Sequence, residues 1–160
     1  MFGHHFISYS RADAKHFAIQ LHDALLAEPL SFRAWLDVLE LNAGIDDWDE
    51  QVVEAIRTCE SLIFVMTLDS VESYSVCKEE WTRALSYKKP VIPLRVHPEA
   101  EIPFRLQSRQ YIDFTGPFDA ALAKLCNNLR WLASPEGKLQ AIKHRLVHDQ
   151  ATSWEMERCS

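Results

Sequence analysis

The sequence has no surplus of positive charge. Its 17 Lys and Arg stand against 23 Asp and Glu, a formal net charge of −6. It therefore offers no basic face to neutralise phosphates, which argues against direct nucleic-acid binding. A nucleotide held by backbone groups and one or two cations stays open. Cysteines with paired spacing are also missing. Cys59, Cys77, Cys126 and Cys159 are scattered, so neither a zinc site nor a disulfide framework is expected, and a reduced, cytoplasmic setting is the simplest reading. No apolar run reaches membrane-spanning length, and no basic region followed by a long apolar stretch opens the chain, so no membrane segment or secretory leader is expected. What is there suits a soluble globular domain: 160 residues, 48% hydrophobic and 25% charged, enough to bury a core without staples.

The chain is organised around Phe6-Ile7-Ser8-Tyr9-Ser10-Arg11-Ala12-Asp13. An apolar start bounded by small polar residues predicts a short core strand running into a turn. Behind it Phe17, Leu21 and Leu25 recur at four-residue spacing along one helix face, with Asp13 placed to cap that helix. A second strand is predicted over Phe32 to Asp37, then a loop turning on Asn42-Ala43-Gly44. Asp46, Asp47, Asp49 and Glu50 crowd the start of the next helix. Carboxylates in a first turn suit free N–H groups and the helix dipole, so they read as caps and no metal site is expected. Trp48, Val52, Ile56 and Cys59 give that helix its apolar stripe.

Leu62-Ile63-Phe64-Val65-Met66 is the clearest strand, a continuous apolar run suited to burial on both faces. A polar loop from Thr67 to Tyr74 leads to a helix over Ser75 to Leu85. Pro90 to Val96 reads as a fourth strand whose prolines fit a strand start or an edge. A longer loop from His97 to Ser108 precedes a short fifth strand, Gln110 to Phe114. The last helix carries Phe118, Leu122, Leu125, Leu129 and Leu132 on its inner side. Beyond Ser134-Pro135-Glu136-Gly137, the residues Leu139, Ile142, Leu146 and Val147 form a further apolar stripe, with His144 and His148 read as solvated. The expected division is a domain over 1–133 and a helical linker, or the start of a following domain, over 134–160.

Strands alternating with helices predict a parallel sheet with helices on both faces. Five of them suit the flavodoxin-like order 2-1-3-4-5, whose switch point lies between the first and third strands. That order brings the Ser8–Asp13 turn and the Thr67–Glu80 segment to one crevice, at the carboxyl end of the sheet where ligands sit.

These residues resemble the Toll/interleukin-1 receptor (TIR) domain in its bacterial form. Phe6 to Asp13 resembles the family's first box. Trp35-Leu36-Asp37, followed by Leu41-Asn42-Ala43-Gly44 and Trp48, resembles the second box and its mobile loop. Ser75-Val76-Cys77-Lys78-Glu79-Glu80 is similar to the Ser-Trp-Cys-x-x-Glu helix start, and Tyr111-Ile112-Asp113-Phe114 stands where the third box falls. The likeness runs from about residue 4 to residue 132. It implies either an enzyme cleaving the nicotinamide–ribose bond of NAD⁺, often in antiphage defence, or a non-catalytic scaffold that signals through TIR–TIR assembly. For the enzyme it implies Glu80 as the catalytic residue and no cofactor, NAD⁺ being the substrate. Ser8, Ser10, Arg11, Asp37, Tyr74, Cys77 and Trp81 are then expected around that substrate, with Tyr74, Trp81 or a neighbouring chain supplying an aromatic wall. Leu41, Asn42, Ala43, Gly44 and Ile45 form the expected oligomerisation loop, and other TIR domains the expected partners. Many enzymatic members carry Trp four residues before the glutamate; this chain has Val76 there.

Overall fold

The computed structural model describes residues 3–37, 48–143 and 146. Strands β1 (His5–Ser8), β2 (Ala34–Trp35), β3 (Ser61–Met66), β4 (Val91–Arg95) and β5 (Ile112–Asp113) form one sheet in the order β2-β1-β3-β4-β5. Every pairing is parallel, the flavodoxin-like architecture anticipated above. Between them run helices α1 (Lys15–Leu26), α2 (Trp48–Thr58) and α3 (Val76–Ser86), a short 3₁₀ turn at Phe104–Leu106, and α4 (Phe118–Ala133) after β5.

The central strand follows from its composition. All six residues of β3 are buried, and a parallel strand flanked on both sides has no wet face to reserve for polar groups. Its register with β1 pairs Phe6 with Leu62, Ile7 with Ile63 and Ser8 with Phe64. Side chains alternate along a strand, so Phe6 and Ser8 share one face. On that face Phe6, Leu62, Phe64 and Met66 pack with Val52, Ala55 and Ile56 of α2 and with Cys77, Trp81 and Ala84 of α3. The Phe6 ring also stacks on Trp35, with centroids 4.9 Å apart and planes 12° from parallel, so Trp35 serves the core. On α1, Ala18, Leu21, His22 and Leu25 are buried.

The structure corrects several expectations. β2 and β5 are two residues each, far shorter than the stretches 32–37 and 110–114, because an outer strand is ordered only where its single neighbour pairs with it. β4 is no edge strand, and Pro93 lies inside it, opposite Phe64. β5 meets only Leu94 and Arg95, so Pro93 has a partner strand on one side, and on the open side a residue without an N–H is tolerated as at an edge. Asp13 does not cap α1. The N-cap position is Ala14, with no side-chain hydrogen bond, and the Asp13 carboxylate is used elsewhere.

The chain divides into two compact units after Leu122. In the second, Leu125, Cys126 and Leu129 are buried. Ser134 ends α4 and caps the helical stretch 135–143, accepting the Gly137 N–H at 3.1 Å. Pro135 follows as the first helical residue, where its missing N–H costs nothing. A Cβ on Gly137 would stand 2.1 Å from the Trp131 carbonyl oxygen, so only glycine fits this close approach. Leu139, Ile142 and Leu146 are exposed; Val147, His144 and His148 lie outside the described residues. No described helix is long and apolar enough to cross a membrane.

Candidate active site

Glu80 owes its position to helical spacing. Cys77, Trp81 and Ala84 are the buried residues of α3, at the i, i+4, i+7 spacing that faces a sheet. Glu80 stands at i+3 from Cys77, on the flank of that same stripe, so a carboxylate is carried toward the sheet edge with the apolar residues. Ser75 fixes where the helix begins, its side chain accepting the Cys77 N–H at 3.1 Å as an N-cap. Glu79, about 100° further round, is exposed.

At the end of β1, Ser8 is fully buried at 0% exposure and its hydroxyl donates to Glu80 Oε1 at 2.8 Å. This contact joins the carboxyl end of β1 to the second turn of α3, beside the switch point of the sheet. The turn beyond it is tied down twice more. Ser10 Oγ donates a short hydrogen bond to Asp69 Oδ2 and accepts the Ala12 N–H at 3.2 Å. Asp13 accepts the Thr67 hydroxyl at 2.7 Å and the Asp69 N–H at 3.1 Å. Toward β2, Asp37 accepts the Tyr9 hydroxyl at 2.6 Å, while Arg11 donates to it from Nη2 at 2.7 Å and Nε at 3.2 Å.

Burial is the main influence on Glu80. It disfavours the charged form and pushes the pKa up to about 8; the Ser8 hydrogen bond works against this, Asp37 and Glu79 add to it, and Arg11 offsets part. Burial likewise raises Tyr9, helped by its hydrogen bond to Asp37. Arg11 is held more firmly charged by its hydrogen bonds to Asp37.

Of the residues singled out in the sequence, Ser8, Ser10, Arg11, Asp37 and Glu80 converge here. Tyr74 is 75% exposed, and the Asp69 carboxylate acts on its hydroxyl. Trp81 and Cys77 are both only 2% exposed, so neither presents a surface to a ligand. Trp81 belongs to the core because it sits on the inward stripe of α3, 6.5 Å from the Phe64 ring. Cys77 lies alongside Ser8, with its thiol pushed up to about 12, chiefly by burial. Leu41, Asn42, Ala43, Gly44 and Ile45 lie outside the described residues. Sequence reasoning missed Tyr9, Asp69 and the outward reach of Asp13. The signal for Asp69 was its place two residues beyond Thr67, in the loop directly following the central strand.

A family model described as TIR domain matches residues 6–126. The chain belongs to the TIR domain family. Among solved structures, this TIR domain is similar to a prokaryotic SEFIR domain, at 19% identity and a TM-score of 0.58, covering 79% of this chain and 97% of that one. It is also similar to a metazoan TIR-STING receptor from C. gigas, at 20% identity and a TM-score of 0.59, covering 76% of this chain and 39% of the receptor. A third likeness is to the TIR domains of the activated Roq1 resistosome, which directly recognises the pathogen effector XopQ. Here the identity is 20%, the TM-score 0.50, and the coverage 88% of this chain and 78% of that one. At such identities these likenesses speak to the fold, and they agree with the parallel sheet described above. No curated protein matches the sequence.

Proposed function

We propose that this TIR domain is an NAD⁺ nucleosidase that breaks the nicotinamide–ribose bond, with Glu80 as its catalytic carboxylate. The observation that carries the reading is the placement of Glu80: a largely buried acid at the switch point of the sheet, fixed by Ser8 at 2.8 Å. A strongly perturbed acid in such a position is the kind of group that catalysis uses.

The chemistry needs few groups. Nicotinamide in NAD⁺ already carries positive charge, so when the C1′–N bond breaks its electron pair returns to the ring nitrogen and neutral nicotinamide leaves without protonation. The ribose becomes oxocarbenium-like, and a carboxylate beside it stabilises the developing charge. Water then adds at C1′ and loses a proton, giving ADP-ribose; capture by a group of the nucleotide itself would give a cyclic product. With its pKa near 8, Glu80 is mostly neutral in the empty site at pH 7. A nicotinamide cation alongside favours its ionised form, so substrate binding itself generates the carboxylate. Arg11, 56% exposed at its side chain while paired with Asp37, offers free N–H groups to the pyrophosphate, and Tyr74 is the aromatic surface on which nicotinamide stacks.

Activation by assembly with other TIR domains through the Leu41–Ile45 loop, as the effector module of a larger bacterial immune protein, completes this reading. The tests are nicotinamide release from NAD⁺ by concentrated domain and by the assembled full-length protein, with Glu80→Gln beside the wild type. Loss on the order of 10²–10³ in rate with fold and assembly intact is expected. Val76, 56% exposed where many enzymatic members of the family carry tryptophan, favours the second reading, a signalling scaffold. That reading stands if the assembled protein signals equally well with either residue at position 80 and neither form releases nicotinamide.

A further inference from the structure

Ser8 was expected to touch the substrate. Its surroundings give it another task. It has no exposed surface, it ends a strand that is paired on both sides, and its hydroxyl is directed at Glu80 Oε1. A hydroxyl has one proton to give, and here the carboxyl oxygen takes it. We infer that Ser8 is a positioning residue: it orients the Glu80 carboxyl toward the ribose and favours its ionised form, without itself contacting the dinucleotide. The inference rests on the reading of Glu80 as the catalytic group.

The groups acting on Glu80 come from each element around it. β1 supplies Ser8, the turn after it Arg11, the segment after β2 Asp37, and α3 itself Glu79. Arg11 is already bound to Asp37, so its charge is largely spent there, and the two acids oppose ionisation. Among the described residues, Ser8 is thus the one group in direct hydrogen-bond contact that supports the carboxylate. Cys77, also alongside Ser8, cannot substitute for it, since its thiol is held neutral by burial and is a weak donor. The face-sharing of Phe6 and Ser8 along β1 explains why the contact forms at all: the alternation that buries Phe6 under α2 and α3 also aims Ser8 at α3.

The test follows Glu80 directly. The wild type, Ser8→Ala and Ser8→Thr proteins, labelled with ¹³C at the glutamate side-chain carboxyls, are titrated by NMR, with Glu80→Gln assigning the resonance. The expected result is a Glu80 midpoint higher by about one pH unit in Ser8→Ala and close to wild type in Ser8→Thr. An unchanged or lower midpoint in Ser8→Ala overturns the inference. Steady-state nicotinamide release provides the second readout. Ser8→Ala should lower kcat/KM about 10-fold at pH 7, and its kcat/KM profile should move alkaline by the same interval as the NMR midpoint. A kcat/KM lowered by the same factor at every pH, with its midpoint unmoved, would make Ser8 a substrate contact and likewise overturn the inference. An NMR shift as expected, with no nicotinamide released by any of the proteins, would support the Ser8–Glu80 coupling and count against the enzyme reading alone.

Discussion

Asp13 accepts the Thr67 hydroxyl at 2.7 Å with one carboxylate oxygen and the Asp69 amide at 3.1 Å with the other. One side chain from the turn after β1 thus satisfies two donors from the loop after β3, and the crevice has its two walls bound together. Asp13→Ala should cost about 1–3 kcal/mol, the range for stranding one part-buried donor, here the Thr67 hydroxyl. Urea unfolding would register it as a lower midpoint at unchanged slope, with the helical circular dichroism of the native state intact because α1 is not capped by Asp13. A loss of helical signal before unfolding would contradict this assignment.

The stability of the fold should carry the imprint of Glu80. Its native pKa, near 8, lies above the usual 4.5, so the folded state holds a proton that the unfolded chain releases. That contribution is complete below pH 4.5 and is lost as pH rises through 8. Glu80→Gln removes the penalty of holding a buried charge. It should raise the melting temperature at pH 8.5 by a few degrees, a gain of about 1–2 kcal/mol after allowance for the part-open carboxyl, and change little at pH 4.5. Thermal scans of both proteins at the two pH values check the sign.

His5 acts on the other flank. It is buried, with Nδ1 2.7 Å from Ser61 Oγ, and burial lowers its pKa below 6.5. The unfolded chain therefore takes up this proton first, and stability should decline as pH falls from 6.5 toward the lowered native value. His5→Gln should flatten that decline, which a denaturant midpoint measured from pH 7 to 5 would resolve.

The neighbouring acids on α3 should behave differently in catalysis. Glu79→Gln is expected to keep nicotinamide release within about threefold of wild type, since its side chain turns outward about 100° from Glu80. It should also shift the kcat/KM profile slightly acidic, because one charge opposing Glu80 ionisation is gone. In the wild type kcat/KM should rise with pH up to about 8 and then level, while kcat levels earlier, the bound nicotinamide cation having lowered the pKa.

The two aromatic residues expected around the substrate should separate cleanly. Trp81→Ala removes a buried ring from the core and should cost about 3–5 kcal/mol in unfolding free energy. Tyr74→Ala should leave the melting temperature within about a degree and raise KM for NAD⁺ several-fold. A large loss of stability at Tyr74 would show it to be structural.

How far this was readable from the residues depends on which force dominates at each place. The apolar run Leu62–Met66 could only be a buried strand, and the order of the sheet followed from the alternation of elements. Edge lengths were not readable, since nothing in Phe32–Asp37 or Gln110–Phe114 records where a neighbour stops pairing. Asp13 carried the signal of a helix cap, but its true partners lie 54 and 56 residues away, and such distant pairings leave no local pattern. Glu80, taken alone, read as one more acid in an early helical turn and stood out only through the likeness of Ser75–Glu80 to the family's helix start, whereas its tie to Ser8, 72 positions away, needed the fold.

The buried thiols have a practical consequence. Cys77 lies beside the Ser8–Glu80 pair with its pKa raised to about 12, and Cys59 is raised to about 11. At pH 7 a thiol near 12 is ionised in on the order of one molecule in 10⁵, and both side chains are closed to solvent. Electrophiles that label reactive cysteines should therefore pass these two by. Inhibitors of this crevice would gain no covalent anchor on Cys77, and probes attached to cysteine could be introduced elsewhere on the surface without blocking Glu80.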